Sequence, residues 1–242
     1  MTRMSWVIAT LLLGLGCGST QHPAAEHTDN PDDIDVEEQS TESPDEDDGM
    51  AIEGLRGSFR RDEVDSVMNR AAARFADCYS EALDDHPYLV GDLALGFTVA
   101  PDGSVRDVRT TSATLGSREV EECILDQARR LHFPYPHGGE ADFDYGPMVM
   151  NPGDDARPPD IWPASRVSEQ VETHQSAVEA CTQGHGGFQA TLYVGPGGRV
   201  RSVGVVAPSA HQQEAARCLE RELTGWELPD PGTWIAKISL EL

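Results

Sequence analysis

Ala94-Leu95-Gly96-Phe97-Thr98-Val99-Ala100-Pro101-Asp102-Gly103-Ser104-Val105-Arg106 returns in altered form as Gln189-Ala190-Thr191-Leu192-Tyr193-Val194-Gly195-Pro196-Gly197-Gly198-Arg199-Val200-Arg201. A single offset of 95 superposes the two stretches without a gap. It also aligns Cys123 with Cys218, and Phe133-Pro134-Tyr135-Pro136 with Leu228-Pro229-Asp230-Pro231. Upstream the offset is 103, where Val64, Phe75 and Cys78 match Val167, Val178 and Cys181. The second copy has therefore lost 103 − 95 = 8 residues between its first helix and its first strand. The chain reads as one supersecondary unit used twice.

Within the first copy, Leu93, Leu95, Phe97 and Val99 alternate as a half-buried strand does. Pro101-Asp102-Gly103 predicts a tight turn into a second strand containing Val105 and Val108. Ahead of this hairpin, Val64, Val67, Met68, Ala71, Phe75, Cys78 and Ala82 recur at helical spacing and predict an amphipathic helix over 61–84. Behind it, Val120, Cys123, Ile124, Ala128 and Leu131 form a second helical seam with Ser117 as its N-cap. Phe143 and Tyr145 mark a closing strand. In the second copy the helices fall near 166–182 and 210–224, and Ile238, Leu240 and Leu242 close the unit. An α-β-β-α-β order lets both helices cover one face of a small antiparallel sheet. The expected class is α+β: two tandem modules of this kind, with antiparallel sheets, following a disordered acidic linker. The first module spans 57–150 and the second, a degenerate copy, 165–242. The Pro-, Gly- and Asp-rich stretch 151–164 has the character of a linker.

The 242 residues carry 42 acidic and 18 basic side chains, a formal charge of -24. With Lys237 as the single lysine, the clustered cations that phosphate contacts need are missing, which argues against a nucleic-acid partner and a polybasic membrane patch. Residues 18–55 hold 13 of the acids and no Lys or Arg. The segment 18–56 is therefore expected to be a disordered, self-repelling tether. Asp33, Asp35 and Glu37 alternate in the manner of calcium ligands, but the glycine and distal glutamate of an EF-hand loop are absent from the spacing. At the start, Arg3 and the apolar run from Trp6 to Leu15 form a leader too short to span a bilayer. Leu13-Gly14-Leu15-Gly16-Cys17 resembles a bacterial lipobox. That resemblance implies a signal peptide over 1–17, lipidation of Cys17 and a lipid anchor in the membrane. Gly18, rather than Asp, after the cysteine implies the outer membrane, with the protein facing the periplasm.

With Cys17 consumed by the leader, Cys78, Cys123, Cys181 and Cys218 permit three pairings. Each repeat puts one cysteine on the apolar seam of each helix, so the economical pairing is Cys78 with Cys123 and Cys181 with Cys218. In an oxidising compartment each bond would contribute on the order of 4 kcal/mol to a unit too small to rely on its core alone. Four buried free thiols are the plainer alternative. A thiol enzyme is a further one, since His185 lies four residues after Cys181. Against it, no counterpart stands beside Cys78, and burial on an apolar face makes a thiol inert.

Other constellations read as ordinary structure. Gly195-Pro196-Gly197-Gly198 lacks the Lys-Ser or Lys-Thr of a phosphate loop and suits a hairpin turn. His132 and His137 flank prolines with no third ligand indicated, so neither a metal nor another cofactor is expected. The pairs Asp84-Asp85 and Glu121-Glu122 suit solvated helix faces.

Cys78-Tyr79, Leu83, Pro87, Leu89, Gly91, Phe97, Val99, Gly103, Val105, Ser112, Leu115, Cys123, Phe133-Pro134 and Pro136 form an ordered set over about 57–150. The set resembles the AgmX/PglI C-terminal domain family of myxobacteria and their relatives, itself similar to the C-terminal domain of TonB. The second copy departs from it, with Thr182 for the tyrosine and Leu228 for the phenylalanine. The resemblance implies a non-enzymatic envelope domain, in some members tied to gliding machinery, with no catalytic residue to carry over. TonB-like domains engage partners by pairing a strand at a sheet edge. The function expected from the whole is an adaptor or scaffold for another envelope protein. A binding module for cell-wall glycan or a small molecule is the alternative, and a thiol-dependent enzyme stands third.

Overall fold

A computed structural model describes residues 56–242. The expected leader (1–17), the lipidated Cys17 and all but the last residue of the tether lie outside the described residues. The first repeat opens with helix α1 (Arg61–Asp85), followed by strands β1 (Gly91–Val99) and β2 (Val105–Ala113), helix α2 (Arg118–Ala128) and strand β3 (Ala141–Met150). The three strands form an antiparallel sheet in the order β2-β1-β3. The helical seam of α1 turns Val64, Val67, Met68, Ala71, Phe75 and Cys78 inward. They pack on Leu93, Leu95, Phe97 and Val99, which point from β1 to the same core. Ser117 caps α2 by accepting a hydrogen bond from the Val120 N–H at 3.4 Å.

The second repeat follows the same plan with two departures. Its elements are strand β4 (Asp160–Trp162), helices α3 (Ser168–Thr173) and α4 (Gln175–Thr182), strands β5 (Gln189–Val194) and β6 (Val200–Val206), helix α5 (Gln213–Thr224) and strand β7 (Ala236–Glu241). The sheet order is β4-β7-β5-β6. β4 comes from the stretch read as linker and lies parallel to β7, unlike the antiparallel pairs elsewhere. The single helix expected near 166–182 is broken at His174. At His174 the backbone turns out of helical geometry (φ −97°, ψ 8°) while its N–H still donates to Gln170 O, its ring stacks on Trp226 with centroids 4.7 Å apart, and its Nδ1 meets Glu222 Oε1 at 3.3 Å. The local sequence is rich in Val, Thr and Ser, whose stiff or competing side chains hold a helix weakly, and so yields to that contact.

The offset of 95 has a physical counterpart in the hairpins. Gly103 donates to Ala100 O, and the Phe133 N–H donates back to Gly103 O at 2.9 Å. Ninety-five residues on, Gly198 donates to Gly195 O and the Leu228 N–H donates to Gly198 O at 2.9 Å. Gly103 and Gly198 have φ of +87° and +73°, and a Cβ at either would collide with the carbonyl of Phe133 or Leu228. Each glycine thus lets the chain after the second helix close over its hairpin.

The repeats pack together within a single unit that takes in 50–242. On β5, Ala190, Leu192 and Val194 face their own core, yet Thr191 and Tyr193 are buried too, because the first repeat covers the other face of the strand. The Tyr193 hydroxyl accepts from Val90 N at 3.0 Å and donates to Val90 O at 2.8 Å. Lys237 Nζ donates to the same carbonyl at 2.6 Å. Burial pulls the Lys237 ammonium below its ordinary value and pushes the Tyr193 phenol above its own.

Candidate interaction surface

β3 is paired on one side only. Its inner edge bonds β1, and at its start Gly57 bridges Ala141. From Asp142 to Met150 its outer edge has no strand partner among the described residues. A two-residue bulge at Gly146-Pro147, opposite Ala94, interrupts the register between Tyr145 and Met148. Proline and a bulge are devices that blunt a sheet edge, so the open run is the four residues 142–145. Beside it lies a groove of about 700 Å³ whose apolar floor includes Phe59, Val64 and Phe143. Phe59 packs edge-on to Phe143 with centroids 5.5 Å apart, and Phe143 stacks on Phe97 at 5.1 Å. The groove wall is thus anchored in the core and presented rigidly. Arg56 pairs with Asp142 and Asp144 is exposed, so the rim is charged. Past the bulge Val149 is 76% exposed, on the sheet face opposite Phe143.

Cys78 is bonded to Cys123 and Cys181 to Cys218, linking α1 to α2 and α4 to α5. The sequence separations are 45 and 37, which differ by the 45 − 37 = 8 residues missing from the second copy. His132 and His137 stay apart in role: His132 bridges Ser104, and His137 Nε2 lies 3.6 Å from Glu63 Oε1. Among the described residues no group of three or more His, Cys, Asp or Glu is placed to hold a metal ion. No helix among them is long and apolar enough to cross a membrane.

The acidic pair Glu121-Glu122 needs a correction. Glu122 is exposed, but Glu121 is 5% exposed, covered by β6 of the other repeat. Gly204 of β6 makes this possible, since a Cβ there would collide with Glu121 Oε1 and lie 3.1 Å from Ser117 N. Glu220 of α5, also buried, takes a bond from Val205 N at 3.4 Å. Arg118 Nε lies 3.3 Å from Glu220 Oε2, while its Nη2 reaches Glu122 at 2.9 Å. Burial and the neighbouring Glu220 carboxylate push the Glu121 carboxyl up to about 8, against which the Ser117 N–H pulls down. Burial likewise lifts Glu220 to about 7, opposed by Arg118.

The fold and surface define a disulfide-stapled double module of α+β class with a half-open sheet edge and a polar, partly buried junction. No protein-family model matches the chain. Over 76 residues it is 36% identical to the tyrosine-protein kinase MasK of Myxococcus xanthus strain DK1622, a match that takes in 31% of this chain and 11% of the kinase. The chain therefore corresponds to a small part of that protein's length.

Proposed function

We propose that this protein is a non-enzymatic adaptor of the bacterial envelope, held to the outer membrane by lipid on Cys17, that captures a partner protein by strand addition to β3. The observation that carries the reading is the unpaired edge at 142–145 beside a groove floored by Phe59 and Phe143. An added strand gains main-chain hydrogen bonds along the edge, and alternate side chains drop into the groove. The residue set over 57–150 that resembles AgmX/PglI-type domains supports an envelope role, with gliding machinery as one setting. The lipobox-like run ending at Cys17 supports the anchor.

Successive N–H groups of a strand point to opposite edges, so one of Asp144→Pro and Tyr145→Pro deletes an outward donor while the other deletes a bond to β1. A photo-crosslinker at Asp142 in cells would identify the partner. Whichever proline variant stays folded should then lose the partner, and retention by that folded variant refutes strand addition. Anchoring is checked separately: Cys17→Ala should abolish incorporation of labelled palmitate, and continued labelling would refute the lipid site.

A further inference from the structure

The two disulfides hold equivalent places in the repeats but differ in what surrounds them. In the first repeat α1 continues 85 − 78 = 7 residues past Cys78, to Asp85, and Cys78 is 5% exposed. In the second, α4 ends at Thr182, one residue past Cys181, where Gln183 takes a left-handed φ of +55°. The residues missing from the second copy fall in this interval, between first helix and first strand. There a groove of about 610 Å³ opens between the end of α4 and the start of α5. Cys181 and Cys218 both line it, and both are half-buried. His185, His211 and Arg221 stand exposed around them, with Glu214 as the one acid on the wall.

Exchange requires a thiolate to reach one sulfur of the bond, so access decides which of two like disulfides reacts. We propose that Cys181–Cys218 is a thiol-exchange site that takes a small, carboxylate-bearing thiol of the glutathione or cysteine class. The pair is closed at rest in an oxidising compartment. The incoming thiolate attacks one sulfur, and the Cys181–Cys218 bond breaks as the new S–S bond forms. The other cysteine departs with the electron pair as a thiolate, which takes a proton from water. A second thiol then attacks the mixed disulfide and leaves as the small-molecule disulfide, so two electrons pass from two thiols to Cys181 and Cys218. The groove volume lies within the range of small-ligand pockets. Arg221, with His185 and His211 beside it, attracts a thiol whose carboxylates are ionised. Opening the bond has a structural consequence, because α3 buries no side chain and α4 only Thr182. The disulfide therefore carries much of the hold of α5 on these short helices, and its opening loosens 168–182. The site is independent of the β3 edge.

The test treats the full chain with reduced glutathione, quenches with acid, and maps thiols and adducts by mass spectrometry. Cys181–Cys218 should open about tenfold or more faster than Cys78–Cys123, at a rate linear in glutathione, with glutathione found on Cys181 or Cys218. Hydrogen exchange should then rise within 168–182 and stay unchanged in α1. Arg221→Glu, folded by circular dichroism, should slow glutathione several-fold and slow 2-mercaptoethanol, which has no carboxylate, much less. Equal rates for the two disulfides overturn the proposal, as does the absence of an adduct on Cys181 and Cys218. A rate that stops rising with thiol concentration also overturns it, because the repeat would then have to unfold before a sulfur is reached. Equal slowing of both thiols by Arg221→Glu overturns the assignment of a carboxylate-bearing ligand.

Discussion

At the scale of single residues, Glu121 sets how stability responds to pH. Its carboxyl is faced by Glu220 from α5, by Glu122 of its own helix and by the Ser117 N–H, and its folded value of about 8 lies above the ordinary 4.5. The folded protein therefore holds a proton that the unfolded chain releases. Its contribution is fully present below about pH 4.5 and is lost as pH rises toward 8. Urea unfolding across this window should show stability falling with pH by at most about 1.4 kcal/mol per pH unit, about 5 kcal/mol in all, and Glu121→Gln should remove most of that fall. Parallel profiles for the two proteins would contradict the assignment. Gly204→Ala probes the same contact from the other side: its Cβ meets Glu121 and the α2 N-terminus, and a loss of about 1–3 kcal/mol is expected. Nothing in the local sequence separates Glu121 from Glu122. The difference is made by a strand more than eighty residues downstream, which no helical periodicity encodes.

At the scale of elements, the hydrophobic pattern decided most of the first repeat. The helix expected over 61–84 is Arg61–Asp85, because Val64 to Ala82 mark one face of it without interruption. The strand pattern of Leu93 to Val99 is as plain, since only one face of β1 meets the core. β5 was harder to read, because Thr191 and Tyr193 are buried against the other repeat and blur the alternation. The break at His174 and the parallel strand β4 were also illegible, as both depend on distant partners, Trp226 and β7. The free edge of β3 was visible only as a closing strand; its bulge and its groove come from the register against β1. Each disulfide ties the two helices of its repeat across one sheet. Replacing Cys78 and Cys123 together by Ala should lower unfolding free energy by about 4 kcal/mol in the chain-entropy account, measured by denaturant titration. An unchanged midpoint would mean that the helices are held by their core alone.

At the scale of the whole molecule, Tyr193 joins the two cores. It packs with the first core, lies tilted against Tyr88 with ring centroids 5.3 Å apart, and makes both hydrogen bonds to Val90. Tyr193→Phe keeps the ring and removes the hydroxyl, leaving the half-buried Val90 N–H without its partner at a cost of about 1 kcal/mol. Scanning calorimetry should then resolve two transitions where the native protein gives one; a single transition at an unshifted temperature would show that the repeats are joined by other contacts. The central claim is that one helix-stapled module is used twice. Disulfide mapping by mass spectrometry on protein from an oxidising compartment, alkylated before and after reduction, tests it most directly. The account predicts the pairs Cys78–Cys123 and Cys181–Cys218 with none of these four thiols free. A bond between the repeats, or a readily alkylated Cys181 or Cys218, would contradict it.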